Sequence, residues 1–229
     1  MSRSQATRLA RTRPPAHSKF EIRNSQLVAT LPRMVVATSA VEILPGVHRW
    51  AAFSPEHRVE LAAHSVWDGR TLLIFDPIPL AAEVFDWFPT PQAPDAVVLT
   101  NGNHERDAAR WRELFPLPIW AAPETQPILE GVRRWDVTQP PFPGWWIIPL
   151  PGGAVGESAW FCPAKSLVVF GDAVVNLSGR GLELLPAKYC RDPAELRQSL
   201  RGLPEFAHAV FAHGEPILDG ASARIAALL

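Results

Sequence analysis

The residues able to do chemistry in this 229-residue chain fall into five short clusters, each at the downstream end of an apolar run. They are Asp76, the segment Asn101-Gly-Asn-His-Glu-Arg-Asp107, Gly152-Gly153, Asp172 and His213. Imidazoles and carboxylates are the side chains that hold divalent ions and that move protons in hydrolysis. Polar groups gathered at strand ends are also where a rigid scaffold carries function on its loops. Each has a plain structural use as well. Asp172 could cap a turn through backbone bonds, His213 could bond a carbonyl beside Gly214, and Asp76 could lock the loop before Pro77. His104 reads equally as a loop hydrogen-bonder, and His64, on an alternating strand, as a half-buried packing residue. Cys190 reads as an inert thiol.

The elements that must position these clusters are short strands broken by turns. A strand interrupted by Pro45-Gly46 is predicted over 41–50, a second over 59–67, a tight turn at Asp68-Gly69 and a returning strand over 71–75. Leu80, Val84 and Phe88 recur at helical spacing. A buried-type strand over 95–100 leads into the 101–107 cluster, and a helix over about 107–115 stops at Pro116. Strands follow over 118–121, 133–137 and 145–150, with a helix or turn over 122–129. A hairpin over 158–162 and 166–170 then crosses Pro163-Ala164-Lys165. Asp192 with Pro193 and Glu195 is a strong helix start, and a strand over 209–212 and a helix from about 221 close the chain. Hairpins first, then strands alternating with helices, predict a layered α/β sandwich rather than a doubly wound sheet.

The order and spacing of these clusters resemble the metallo-β-lactamase fold. There, a strand ending in Leu-Thr precedes His-x-His-x-Asp-His, followed by a Pro-Gly-His loop, a strand with Gly-Asp and a strand with His-Gly. The matching text is Leu99-Thr100-Asn101-Gly102-Asn103-His104-Glu105-Arg106, Pro151-Gly152-Gly153, Phe170-Gly171-Asp172 and Ala212-His213-Gly214. The resemblance covers about 41–229 and implies a four-layered αββα sandwich. Carried over by position, the first metal would have Asn101, Asn103, Gly153 and Asp172, and glycine offers no side chain. The second would have Glu105, Arg106, Asp172 and His213, of which arginine cannot ligate. Two readings stay open. In one, a metal-dependent hydrolase of ester- or thioester-type bonds survives with an eroded site. Asp172, His213 and either Glu105 or, after a one-residue slip, His104 would then hold one zinc or other divalent ion. In the other, no metal binds. The Arg106 guanidinium would then replace the second ion, pairing with Asp172 and Glu105, in a module that binds a small molecule or a protein. Asn101, Asn103, His104 and Arg106 are the expected substrate-binding residues.

Composition sets the outer bounds. Hydrophobic residues at 47% and charged residues at 20% suit a packed core rather than a disordered chain. A formal net charge of −1 provides no global field for nucleic acid. Apolar runs such as 147–150 and 167–170 are far short of the roughly 20 residues of a membrane helix, and no signal-peptide pattern is present. Two cysteines without CxxC spacing exclude a disulfide scaffold and leave the cytoplasm as the expected location. Residues 1–40 hold seven basic residues against Glu21 alone, leaving 15 basic and 22 acidic residues for the rest. That stretch is expected to be a flexible extension, or an arm for acidic partners. No serine-hydrolase elbow or nucleotide-binding glycine loop occurs. Trp146 or Trp160 is a candidate wall for an apolar ligand.

Overall fold

The computed structural model describes residues 35–85 and 93–229. Most of the basic extension, and Phe88 of the predicted helix, lie outside the described residues. Residues 35–40 are described, and Ala37 is already buried in the domain, pairing with Leu80 and donating to the Pro79 carbonyl.

Seven strands form the first sheet in chain order: β1 (Val41–Leu44), β2 (Val47–Ser54), β3 (Val59–Trp67), β4 (Leu72–Phe75), β5 (Ala96–Val98), β6 (Ile119–Ala121) and β7 (Arg133–Arg134). The first four pair antiparallel, with Gly46 at φ +73° turning β1 into β2, and β4 to β7 pair in parallel. The second sheet contains β8 (Trp146–Pro149), β9 (Ser158–Cys162) and β10 (Leu167–Phe170). Next come β11 (Val174–Leu177) and β12 (Gly181–Leu184), a separate hairpin, and then β13 (His208–Phe211), which returns to lie parallel to β10. Among the described residues the α-helices are α1 (Ala82–Phe85), α2 (Ala108–Leu114), α3 (Pro193–Leu200) and α4 (Ala221–Ala226). Residues 122–129 are turns without a helix.

Strand alternation sorts the side chains into three layers of core. Val66, Leu73, Phe75 and Val98 of the first sheet face Trp160, Val169 and Val210 of the second. The intervening Ile74 and Val97 point the other way, onto Ala108 and Trp111 of α2. Val168, Phe170 and Phe211 likewise face away from the centre, onto Leu196 and Leu200 of α3 and Ala221 and Ile225 of α4. The result is the expected αββα sandwich. Asp192 starts α3 as predicted, accepting from the Ala194 and Glu195 amides. Among the described residues no helix is long and apolar enough to cross a membrane.

One consequence of this topology makes the site. Strands β4 and β5 run parallel in one sheet, and β10 and β13 run parallel in the other. Residues following these four strands, Asp76, Thr100 to Arg106, Asp172 and His213, are therefore delivered to one edge. The sheets are tied there by the Ala62 amide, which donates to the Ala212 carbonyl at 2.8 Å.

Candidate metal centre

Asp76 organises the edge. It follows β4 directly at φ +48°, a left-handed conformation that non-glycine residues seldom take. Its amide donates to the Val98 carbonyl at 3.1 Å, and its carboxylate accepts from the Thr100 amide at 2.8 Å and the Thr100 hydroxyl at 2.6 Å. The loop-locking role read from Asp76-Pro77 is thus present. The same carboxylate has a further partner, His104 Nδ1, at 2.9 Å.

Because the Thr100 hydroxyl spends its proton on Asp76, His104 Nδ1 must donate to that carboxylate, which leaves Nε2 facing the edge. Nε2 lies 3.3 Å from Asp172 Oδ1. His213 mirrors the arrangement: its Nδ1 is 3.1 Å from the Glu60 carbonyl, and its Nε2 is 3.0 Å from the same Asp172 oxygen. Both histidines therefore have Nδ1 on an acceptor and Nε2 on a carboxylate that can only accept. A neutral Nδ1–H imidazole would turn its lone pair on that oxygen. Only a proton or a metal ion between them makes the geometry favourable. The ligand atoms of His104, Asp172 and His213 all lie within 4.8 Å of one another. Neighbouring ligands of a tetrahedral zinc with bonds of about 2.0–2.1 Å stand roughly 3.3 Å apart. The three residues fit one divalent ion.

The other half of the edge has been filled with protein. Asn101 accepts from the Asn103 amide through Oδ1 at 2.8 Å, which aims its NH2 at two carboxylates. It donates to Glu157 Oε2 at 2.9 Å and to Asp172 Oδ2 at 3.0 Å. Glu157 also accepts from the Asp172 and Ala173 amides at 2.8 and 2.9 Å. Its side chain occupies the space left by Gly153: a Cβ there would come within 2.8 Å of Glu157 Cγ. A Cβ on Gly171 would come within 2.5 Å of Thr100 Oγ1 and 2.7 Å of Glu157 Oε1, so glycine is needed at this close approach as well. Glu157 went unrecognised in the sequence because no metal-ligand or acid–base pattern surrounds it. The available signal was a charged residue abutting Ser158-Ala-Trp-Phe-Cys162, a strand buried throughout.

The remaining sequence candidates are placed differently. Asn103 is exposed. Glu105 turns aside and accepts from the Leu129 amide at 3.0 Å. His104, rather than Glu105, joins Asp172 and His213. The expected Arg106 pairing with Asp172 and Glu105 is replaced by bonds to backbone. Nη1 donates to the Ala62 and Asp76 carbonyls at 2.9 and 3.1 Å, two acceptors that the sheet leaves open at this edge. Nη2 ends 3.5 Å from His213 Nε2, so the cation borders the triad without entering it. A cleft of about 560 Å³ borders Glu157, with Trp135, Leu150, Pro151, Arg191 and Glu195 in its walls. Trp160 is buried between the sheets and Trp146 is half-exposed on β8, so neither indole lines it.

Charge and proton distribution follow from this packing. Burial opposes the His104 imidazolium and Arg106 adds to that, yet Asp76 and Asp172 override both and push its pKa up to about 9. Burial works against the Asp172 charge too, but His104 and His213 hold its carboxyl well below the usual range. Burial and the Asp172 charge push Glu157 up to about 8. Burial lowers His213 despite its bond to Asp172. A histidine with a raised folded-state pKa contributes stability that is complete below its ordinary value near 6.5 and lost as pH rises through about 9. Glu157 acts in the same direction, since its folded form holds a proton up to about pH 8. Chemical denaturation of metal-free protein is expected to show stability falling by at least about 3 kcal/mol between pH 6 and pH 10, the share of His104 alone, with Glu157 adding to it. A flat profile across that range would contradict a protonated His104.

No family model and no curated protein sequence matches the chain. Solved structures do. TTHA1623 in a di-iron-bound form superposes with a TM-score of 0.59 at 24% identity, over 77% of this chain and 97% of its own. The DIM-1 metallo-β-lactamase superposes with a TM-score of 0.64 at 14% identity, over 84% and 96%. The chain has the metallo-β-lactamase fold. A third structure, the metallo-β-lactamase from Erythrobacter litoralis with β-mercaptoethanol in its active site, gives a TM-score of 0.64 at 14% identity, over 82% and 94%. At such identities the likeness establishes the fold alone. Within the metallo-β-lactamase fold, the converging residues of this chain are one aspartate and two histidines.

Proposed function

We propose that the protein is a hydrolase that holds one divalent ion, zinc being the natural candidate, on His104 Nε2, Asp172 and His213 Nε2. Its substrate on this reading is a small molecule with an ester, thioester or similar bond, met in the cytoplasm. The observation that carries the reading is the pair of histidines whose Nδ1 atoms are both taken by acceptors while both Nε2 atoms meet one carboxylate oxygen. A neighbour of the same fold solved in a di-iron-bound form gives precedent for metal on this fold.

An ion held by these three residues would supply Lewis acidity and would lower the pKa of water to about 7. The chain's own residues do the rest. Asp76 and the Glu60 carbonyl hold the imidazoles in one tautomer and orientation. Asn101, bonded to Asp172 Oδ2, leaves Oδ1 for the histidines. Arg106, pinned by two carbonyls with Nη2 beside His213, offers positive charge to an oxygen that becomes negative as the bond is attacked.

A second reading rests on the position of Arg106 and on Asn101 and Glu157 filling the first-metal place. On that reading the site is a metal-free module binding a small ligand, with a proton on His104 in place of the ion. Metal analysis of protein purified without chelator, combined with a zinc titration and assay on simple ester and thioester substrates, separates the two. One equivalent of metal and activity lost on chelation support the hydrolase. Folded protein that takes up no zinc supports the binding module.

A further inference from the structure

We propose that Arg49 is a positioning residue for His213, holding the last metal-ligand histidine from the opposite end of the sequence; this rests on the metal-site reading above. Arg49 lies on β2, where it pairs across the ladder with His64. Its side chain is largely buried, with 11% exposure. Its Nη2 serves the two backbone segments that set the His213 ring. It bonds the Glu60 carboxylate, and Glu60 is the residue whose carbonyl faces His213 Nδ1. It also donates to the Gly214 carbonyl at 3.0 Å, one residue beyond His213, with the Glu215 carboxylate at 3.5 Å.

The turn after β13 is already wedged on its far side. Gly214 sits at φ +89°, and a Cβ there would fall 1.9 Å from the Asn176 carbonyl oxygen. Asn176 donates its amide to the His213 carbonyl at 3.2 Å, and Glu215 donates its amide to the Asn176 carbonyl at 2.9 Å. Backbone contact with β11 therefore holds the turn from one side, and Arg49 is the side chain that holds it from the other. Without Arg49, the Gly214 carbonyl loses its donor and two carboxylates, Glu60 and Glu215, lose their cation next to the histidine. The ring is then free to tilt away from Glu60, and Nε2 with it from Asp172. Groups bonded directly to a metal ligand, as the Glu60 carbonyl is to His213, are worth roughly 10–100-fold in metal affinity, and Arg49, acting one step further out through Glu60 and Gly214, is expected to account for about the lower end of that range.

The test compares Arg49→Met and Arg49→Lys with the parent protein. Cobalt titration followed by visible absorption is expected to show affinity at least 10-fold weaker in Arg49→Met, with at least half of that loss recovered in Arg49→Lys. In metal-free protein, ring nitrogen NMR is expected to show one ordered state for His213 in the parent and a mixture in Arg49→Met. His104, held by Asp76, should keep its signals and so exclude general loosening. Parental affinity and unchanged His213 signals in Arg49→Met overturn the proposal, as does an equal disturbance of both histidines. If the parent takes up no cobalt, the hydrolase reading fails, while the His213 signals still decide the role of Arg49. Should Arg49→Met not fold, Arg49→Lys is expected to show the same His213 change in weaker form, and its absence overturns the proposal.

Discussion

Asp172→Ala is expected to abolish metal uptake, taking the protein from one bound equivalent to none in a micromolar titration, and to remove metal-dependent hydrolysis with it. The reason is that Asp172 Oδ1 is the shared centre of the triad, 3.3 Å from one imidazole and 3.0 Å from the other. Two histidines alone leave a site short of the three protein ligands of a catalytic zinc. Each imidazole would still be held through Nδ1, so the loss is of a ligand rather than of the scaffold. The fold should tolerate the change, because Asn101, Glu157 and both imidazoles keep their other partners. Asp172→Asn, which keeps the shape but not the charge, is expected to weaken metal binding by at least 100-fold while leaving the circular-dichroism spectrum unchanged. An Asp172→Ala protein that still holds one equivalent at parental affinity would place the ion elsewhere and sink the proposed function.

Asp76→Ala is expected to have the largest effect on stability, about 3–5 kcal/mol in urea denaturation of metal-free protein at pH 7, because it strips a buried imidazolium of its carboxylate. The same change removes the acceptor of the Thr100 amide and hydroxyl, leaving buried donors unpaired where β4 and β5 meet. For a domain of this size the midpoint of thermal unfolding should drop by roughly 10 °C. Asparagine tolerates the left-handed backbone that residue 76 adopts, so Asp76→Asn isolates the charge from the conformation and should cost less than alanine. Because the sensitive contact is His104 Nδ1 with Asp76, Asp76→Asn should also flatten the loss of stability at high pH. A cost below about 1 kcal/mol for alanine would mean that the Asp76 contacts are not the lock at this edge.

The parts of the fold legible in the sequence are those whose cause is local. The strand over 59–67 is observed as β3, closed by Asp68-Gly69, where the Asp68 carboxylate accepts from the Arg70 and Thr71 amides of its own turn. The start of α3 is equally local: Asp192 accepts from two amides of its own first turn. The hairpin of β11 and β12 is not legible in the sequence because each strand has only four residues and their pairing depends on neighbours. Asn176 of β11 bridges to Gly214, which is remote in sequence. The turn over 122–129 shows the opposite case, since Thr125 bonds back to the Ala122 carbonyl and accepts from Arg134, contacts that stop a helix from propagating.

Sequence alone determined that polar clusters end the inner strands and that histidine is missing at Asn101, Asn103, Gly153 and Arg106, because residue type and strand period are properties of a few neighbouring positions. It also left His104 and Glu105 as rivals for one place. Tertiary structure decided between them, because the orientation of a loop residue depends on what distant strands offer it. Asp76 at the end of β4 takes His104 Nδ1, the Leu129 amide takes Glu105, and the Ala62 and Asp76 carbonyls take Arg106. Those three competitions, none visible in the local text, turn His104 toward Asp172 and His213 and leave the cation beside the triad instead of within it.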